Sequence, residues 1–401
     1  MNRLSLRITA GLAAAVLTVL VFTPLTSAAD KPDFKAVAER IVGDSARVKA
    51  GDRVVVRGDI RDIDLIEEIS LAIWRRGAEP LQVLGREKAA RRYFDEVPAA
   101  QDGVPLGISL KMLDAETVEI FVSGSEYPAL LSDVPAARMA AWNKRNQEVA
   151  DARLKKGVRM VEVGNGLYPT DATAKRFAIT KSQLADLYWS GLNVDTAKLQ
   201  ATGAAVKSAL ASGKVVRITH VNGTDLQFRI ESRPINISAG VIPDEAMAKG
   251  GPAAQVWLPA GEVYTTPVKG SAKGKIIFDT LPFDDGEIIG ATYTFDAGKL
   301  VSHDAKPGPK YERWKALYAA APEGKAEFSI FDIGINPNVK VPAGSKLTTW
   351  VPAGTVSLLL GGNTWAGGDN AIGWNGGGSM NGCTVTVDGK TIVEAGVLKV
   401  K

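Results

Sequence analysis

Histidine, the usual imidazole source for metal and acid-base chemistry, is scarce in this 401-residue sequence, which has only His220 and His303. Counting alone excludes a metal centre rich in imidazole. Acidic residues gather instead in the second half, as Asp284, Asp285 and Glu287 ahead of an apolar run at Ile288, and as His303-Asp304 after Val301. With Glu262 and Asp332 these could hold one hard cation or one zinc, although their spacing matches no metal signature. The competing expectation is a solvated turn at Asp284 to Glu287, a strand end at His303-Asp304 and a strand histidine at His220. Ser357 and Ser379 have no histidine near them in sequence and no Gly-x-Ser-x-Gly elbow, so a serine hydrolase is poorly supported. Cys383 reads as a small buried thiol. The stretch Gly361 to Gly382 holds nine glycines but no Lys-Ser/Thr pair, and no helix is expected behind it, so it is not a phosphate loop. It is expected to be a folded loop, with Trp365 and Trp374 as candidates to line a pocket for apolar side chains.

The elements that must position these residues divide the chain in three. In residues 1–29, Arg3 and Arg7 lead an apolar stretch from Ile8 to Phe22, closed by Thr26-Ser27-Ala28-Ala29. This is the pattern of a secretory signal peptide, with an apolar core of about 15 residues against the roughly 20 a membrane span needs. An exported protein, periplasmic or secreted, is expected, with no membrane span once the signal is cleaved. The single cysteine excludes an intrachain disulfide framework. A net charge of +4 from 48 basic and 44 acidic residues is too small and too mixed to imply a nucleic-acid partner.

From Val54 to about Gly164, short β-type apolar runs alternate with amphipathic stretches: Val54 to Val56, Asp62 to Arg76, Pro80 to Leu84, Arg86 to Phe94, Thr117 to Val122, Pro135 to Lys156, Val158 to Val163. Such alternation predicts a parallel sheet covered by helices. Asp64 with Glu67, and Thr180 with Gln183, have the spacing of capping boxes that open helices; further helices are expected over Lys181 to Tyr188 and Asp195 to Ser212. After Gly213 the texture changes to short strands with glycine turns, Asn222-Gly223 and Asp388-Gly389 among them, and helical periodicity nearly vanishes. The expected organisation is an α/β N-terminal domain over 30–212 and a mostly β domain over 213–401.

Several stretches resemble, in order, the aminopeptidase T (M29) metallopeptidases: Tyr168-Pro169-Thr170, Gly223-Thr224-Asp225-Leu226, Arg233, Leu258 to Pro267, Ile333-Gly334-Ile335-Asn336-Pro337, Gly354-Thr355-Val356 and Val387-Asp388-Gly389-Lys390. The resemblance spans nearly the whole chain after the signal segment. It implies two divalent metals held by two glutamates, two histidines and an aspartate, with a tyrosine nearby, cleaving N-terminal residues from peptides, and a homodimer. Glu262 matches the first glutamate. The second falls at Ile330, with Asp332 where the family has glycine. The first histidine falls at Ser357, the tyrosine at Thr364, and the last histidine and aspartate at Ser379 and Asn381. Neutral serine and asparagine oxygens bind zinc far more weakly than imidazole or carboxylate. Two expectations follow: a non-catalytic peptide-binding or scaffold protein with no metal, or a divergent metalloaminopeptidase acting on peptide N-termini with a rebuilt site, holding zinc or cobalt on Glu262 and Asp332. Glu262 is its candidate catalytic residue.

Overall fold

The computed structural model describes residues 33–400, and the signal segment lies outside them. The alternating first half forms the expected sheet. Strands β1 (Arg53–Asp59), β2 (Glu79–Gly85), β3 (Val118–Val122) and β4 (Arg159–Val163) run parallel. Their β-branched residues Val54, Val56, Ile120 and Val161 are buried in one core with Leu65, Ile66, Ile69 and Ile73 of the helix Ile63–Arg75, which packs on β1 and β2. An ion pair fastens one end: Arg159 at the start of β4 reaches Asp52 at 2.5 Å and donates to the carbonyls of Ala46 and Arg47 at 3.0 and 2.8 Å.

Thr180 and Gln183 make both hydrogen bonds of a capping box and open the helix Lys181–Leu192. The pair Asp64 and Glu67 does not open its helix. A tight turn over Ile60–Asp62, capped by Asp59, feeds straight into Ile63–Arg75 and leaves Asp64 inside the first helical turn. Here a local signal is overridden by the chain's entry path. The long helix Ala136–Lys156 is stopped by Gly157 in the left-handed region, φ 69°, with Arg153, Lys155 and Lys156 complementing its C-terminal dipole.

Beyond Gly213 the strands are β5 (Val215–Thr219), β6 (Asp225–Arg229), β7 (Ile235–Ser238), β8 (Gln255–Leu258), β9 (Glu262–Thr265), β10 (Lys273–Phe283), β11 (Gly286–Asp296) and β12 (Lys299–Asp304). They continue with β13 (Phe328–Gly334), β14 (Val356–Gly361), β15 (Asn375–Met380), β16 (Thr384–Val387), β17 (Lys390–Glu394) and β18 (Val397–Leu398). An eight-stranded sheet runs β12-β11-β10-β6-β5-β16-β17-β18 and a five-stranded sheet β15-β14-β13-β9-β7; their pairings are antiparallel. Asp388 and Gly389, both with positive φ, make the hairpin turn between β16 and β17.

Two sequence expectations are corrected here. Helices persist after Gly213, most clearly Pro309–Ala320; Tyr311, Trp314 and Tyr318 at i, i+3 and i+7 carry its period. The glycine-rich stretch is not all loop, because Asn375-Gly-Gly-Gly-Ser-Met380 is strand β15. A Cβ at Gly377 would lie 2.2 Å from the carbonyl oxygen of Leu358 on β14, so glycine is what lets the two strands close.

One connection places the site. β8 joins the parallel sheet as its fifth strand beside β4, and β9, three residues later, belongs to the five-stranded antiparallel sheet. Gly261 sits at the corner with φ 142°, where a Cβ would meet Asn336 at 2.5 Å. The chain thus passes from one sheet into the other within Pro259-Ala260-Gly261, bringing Trp257 and Glu262 to the same cavity.

Candidate functional site

Cross-strand register explains the site. Tyr264 on β9 pairs with Asp332 on β13, Asp332 with Ser357 on β14, and Ser357 with Ser379 on β15. Directly opposed residues share a face of a sheet, so these four side chains form a row. Glu262 lies two residues before Tyr264 and therefore on the same face; Ile330 lies two before Asp332. The fold brings Glu262, Ile330, Asp332, Ser357 and Ser379 together from sequence positions up to 117 apart (379 − 262).

That face closes one side of a cavity of about 500 Å³. The opposite wall comes from the parallel sheet, where Glu162 and Trp257 are register partners on β4 and β8, and Arg153 and Leu154 of the long helix close a third side. Trp257, Tyr264 and Trp365 form a corner of mutually touching rings, with centroids 5.4–5.6 Å apart. Trp350 also lines the space.

Three carboxyls face this cavity. Glu262, 6% exposed, accepts a 2.7 Å hydrogen bond from the Asn165 side-chain amide, which also donates to the Pro259 carbonyl at 3.0 Å. Burial, opposed by that hydrogen bond and reinforced by the charge of Glu162, pushes its pKa up to about 8. Asp332 is 3% exposed; burial, then repulsion from Glu262, raises its pKa well above the usual range, and its Oδ1 has no hydrogen-bond partner. Glu162 is raised by burial against a 2.6 Å hydrogen bond from Ser123. Arg153 is ion-paired with Glu119. Near neutral pH the cavity therefore holds protonated or uncompensated acid groups.

The remaining candidates go elsewhere or bind their neighbours. Ile330 is fully buried in an apolar cluster with Tyr264, Leu359 and Ala366. The hydroxyls of Ser357 and Ser379 hydrogen-bond to each other at 2.7 Å. Asn381 Oδ1 accepts from Thr355 at 2.8 Å, and Thr364 donates to Asp151 at 2.8 Å. Asp284 and Asp285 lie at the turn between β10 and β11 and pair with Lys310, while Glu287 pairs with Lys346. His303 bonds the Tyr311 hydroxyl at 2.8 Å, and His220 accepts from the Asn222 amide. None of these acids or histidines lines the cavity. Trp365 does; Trp374 packs instead on Tyr318, centroids 5.5 Å apart. Cys383 is buried, its thiol pushed up to about 12 by burial. Among the described residues, no three His, Cys, Asp or Glu side chains are grouped to hold a metal ion.

Sequence reasoning missed Glu162, Asn165, Trp257, Tyr264 and Trp350. Glu162 left a usable signal, an acid inside the apolar run Val158 to Val163 of a parallel sheet, where burial on both faces leaves a charge without solvent.

The model of the thermophilic metalloprotease (M29) family matches residues 30–313. The chain belongs to this family. The matched stretch of this M29 chain includes Glu262 and ends before Ile330. Its fold is similar to that of wild-type AmpT from Thermus thermophilus, with 16% identity, 92% of this chain and 99% of that one covered, and a TM-score of 0.68. It also resembles the 2,5-dihydroxypyridine dioxygenase of Pseudomonas putida KT2440, with 15% identity, 91% and 96% covered, and a TM-score of 0.59. Both likenesses concern the fold. No match was found among curated proteins.

Proposed function

We propose that this M29 member is an exported peptide-binding protein whose pocket has replaced the family's dinuclear metal centre. The row Tyr264, Asp332, Ser357 and Ser379, with Ile330 beside it, carries this reading. Two dications at one site need several anionic or imidazole donors. On this face the anionic donors are Glu262 and Asp332 alone; Ile330 is apolar, and the two serine hydroxyls are neutral and hydrogen-bonded to each other. The residues present do not fit a pair of divalent ions.

The cavity supports a binding role. Its volume falls within the roughly 300–1,000 Å³ of small-ligand sites, and apolar walls with a few convergent polar groups are usual for them. Peptides, or peptide N-termini, are the ligand class that family membership favours. The signal-like segment over residues 1–29 supports export to a periplasm or the exterior, and resemblance alone supports a homodimer.

The test is metal content of the purified mature protein after dialysis, followed by titration with zinc and cobalt while cleavage of aminoacyl reporter substrates is monitored. No stoichiometric metal and no turnover are expected. Two tightly bound metals, with turnover abolished by Glu262→Gln, would instead establish a divergent aminopeptidase with a rebuilt site on Glu262 and Asp332.

A further inference from the structure

We propose that Asp332 and the aromatic corner beside it form a receptor for a primary ammonium group borne next to an apolar side chain. The inference rests on the reading of the cavity as a binding pocket, and it names what is bound. Its starting point is Asp332 Oδ1, an acceptor without a partner on a side chain 3% exposed that lines the cavity. A buried acceptor left unmade is costly, so the occupant of the cavity is the natural source of its donor. Glu262, diagonally across the strands from Asp332, adds a second carboxyl on the same face. The one cation among the described lining residues, Arg153, is held by Glu119. The protein thus supplies acid groups here and no free positive charge to meet them.

The rest of the wall selects among cations. Trp257, Tyr264 and Trp365 present ring surfaces that attract an ammonium through their quadrupoles and give a hard metal ion no ligand. Leu154, Val158, Met160 and Leu359 line the same space and can bury an apolar substituent. The unpartnered oxygen asks for an N–H donor, which a primary ammonium has and a quaternary one lacks. Asp332 stands where the resemblance has glycine, so this carboxyl is a property of the present chain and not of the inherited metal site.

The experiment follows tryptophan fluorescence and calorimetry of the mature protein with phenylalaninamide, N-acetylphenylalaninamide and phenethyltrimethylammonium, each in chelator and again with added zinc. In chelator, phenylalaninamide is expected to bind at least about tenfold more tightly than either other probe. Asp332→Asn should erase that preference, and Glu262→Gln should weaken it if the Asp332 variant fails to fold. Equal binding of the free and acetylated amides, or a preference untouched by both variants, overturns the receptor while leaving a peptide-binding pocket standing. Absence of binding by all three probes overturns it as well. Binding only with zinc, accompanied by turnover of aminoacyl reporters, overturns both the receptor and the metal-independent reading.

Discussion

Ser357 and Ser379 face each other across β14 and β15 and join their hydroxyls in a buried 2.7 Å hydrogen bond. Each is the other's partner, so their energies are coupled. Ser357→Ala should strand the Ser379 hydroxyl and cost about 1–3 kcal/mol, and the double variant should cost clearly less than the two single variants combined. Urea denaturation of the four proteins in this cycle measures the coupling; strict additivity would contradict the pairing.

The same two positions, together with Ile330, predict a gain of function. With Ile330→Glu, Ser357→His and Ser379→His introduced together, the face would carry two imidazoles and three carboxyls, a donor set zinc accepts. At least one zinc per chain should survive dialysis in the triple variant. A folded triple variant that retains none would show that these positions do not converge as the strand register requires.

Burial of Glu262 makes stability depend on pH in a definite direction. Below about pH 4.5 its carboxyl is neutral in both folded and unfolded chains; between 4.5 and about 8 only the unfolded chain gives up the proton. Stability therefore falls as pH rises through this window, by up to about 1.4 kcal/mol per pH unit from this group, and levels off above about 8. Asp332 and Glu162, raised by burial too, act in the same sense. Denaturation midpoints from pH 4 to 9 should decline less steeply in Glu262→Gln, and an identical decline would show that Glu262 does not titrate as its burial dictates.

Asn165 is the group that restrains this shift. Its amide donates to both Glu262 and the Pro259 carbonyl, so Asn165→Ala should cost about 1–3 kcal/mol and move the upper end of the Glu262 window to higher pH. A calorimetric pH series on the variant reads both effects; loss of stability with an unmoved window would assign Asn165 to the corner alone.

At the far end of the parallel sheet the sign reverses. Asp52 is held below its ordinary carboxylate range, against the opposing effect of burial, by the Lys49 backbone amide and by Arg159. Its contribution is present above pH 3.8 and is lost as pH falls through the lowered folded value. Arg159→Met leaves a buried carboxylate unpaired and should cost about 3–5 kcal/mol, with a shallower acid limb in the pH profile. Guanidinium unfolding at pH 3 and pH 7 tests both; a change below 1 kcal/mol would mean that the pair contributes little net stability.

Local chemistry was legible where one residue type leaves one conformation open. The capping box at Thr180 and Gln183, the Asp388-Gly389 turn and the valine-rich runs of β1 and β4 are decided by neighbours a few positions away, so reading along the chain finds them. The same reading failed at Asp64 because the turn before it had already started the helix, and it overlooked Pro309–Ala320 because three aromatic residues were not counted as a period.

Ile330, Ser357 and Ser379 stand where the resemblance implies metal ligands, and under the proposed reading their side chains leave that chemistry to be replaced. Which residues replace it was a tertiary decision. Glu162 and Trp257 reach the cavity only because β8 docks beside β4 and the chain turns sharply at Gly261. Asp332 meets Tyr264 and Ser357 only through strand register. The acids at Asp284 to Glu287, close to one another in sequence, are held by lysines at a distant turn. Spacing along a strand fixes which face a side chain takes, but pairing between strands fixes what it meets there, and that pairing is made by contacts far apart in the chain.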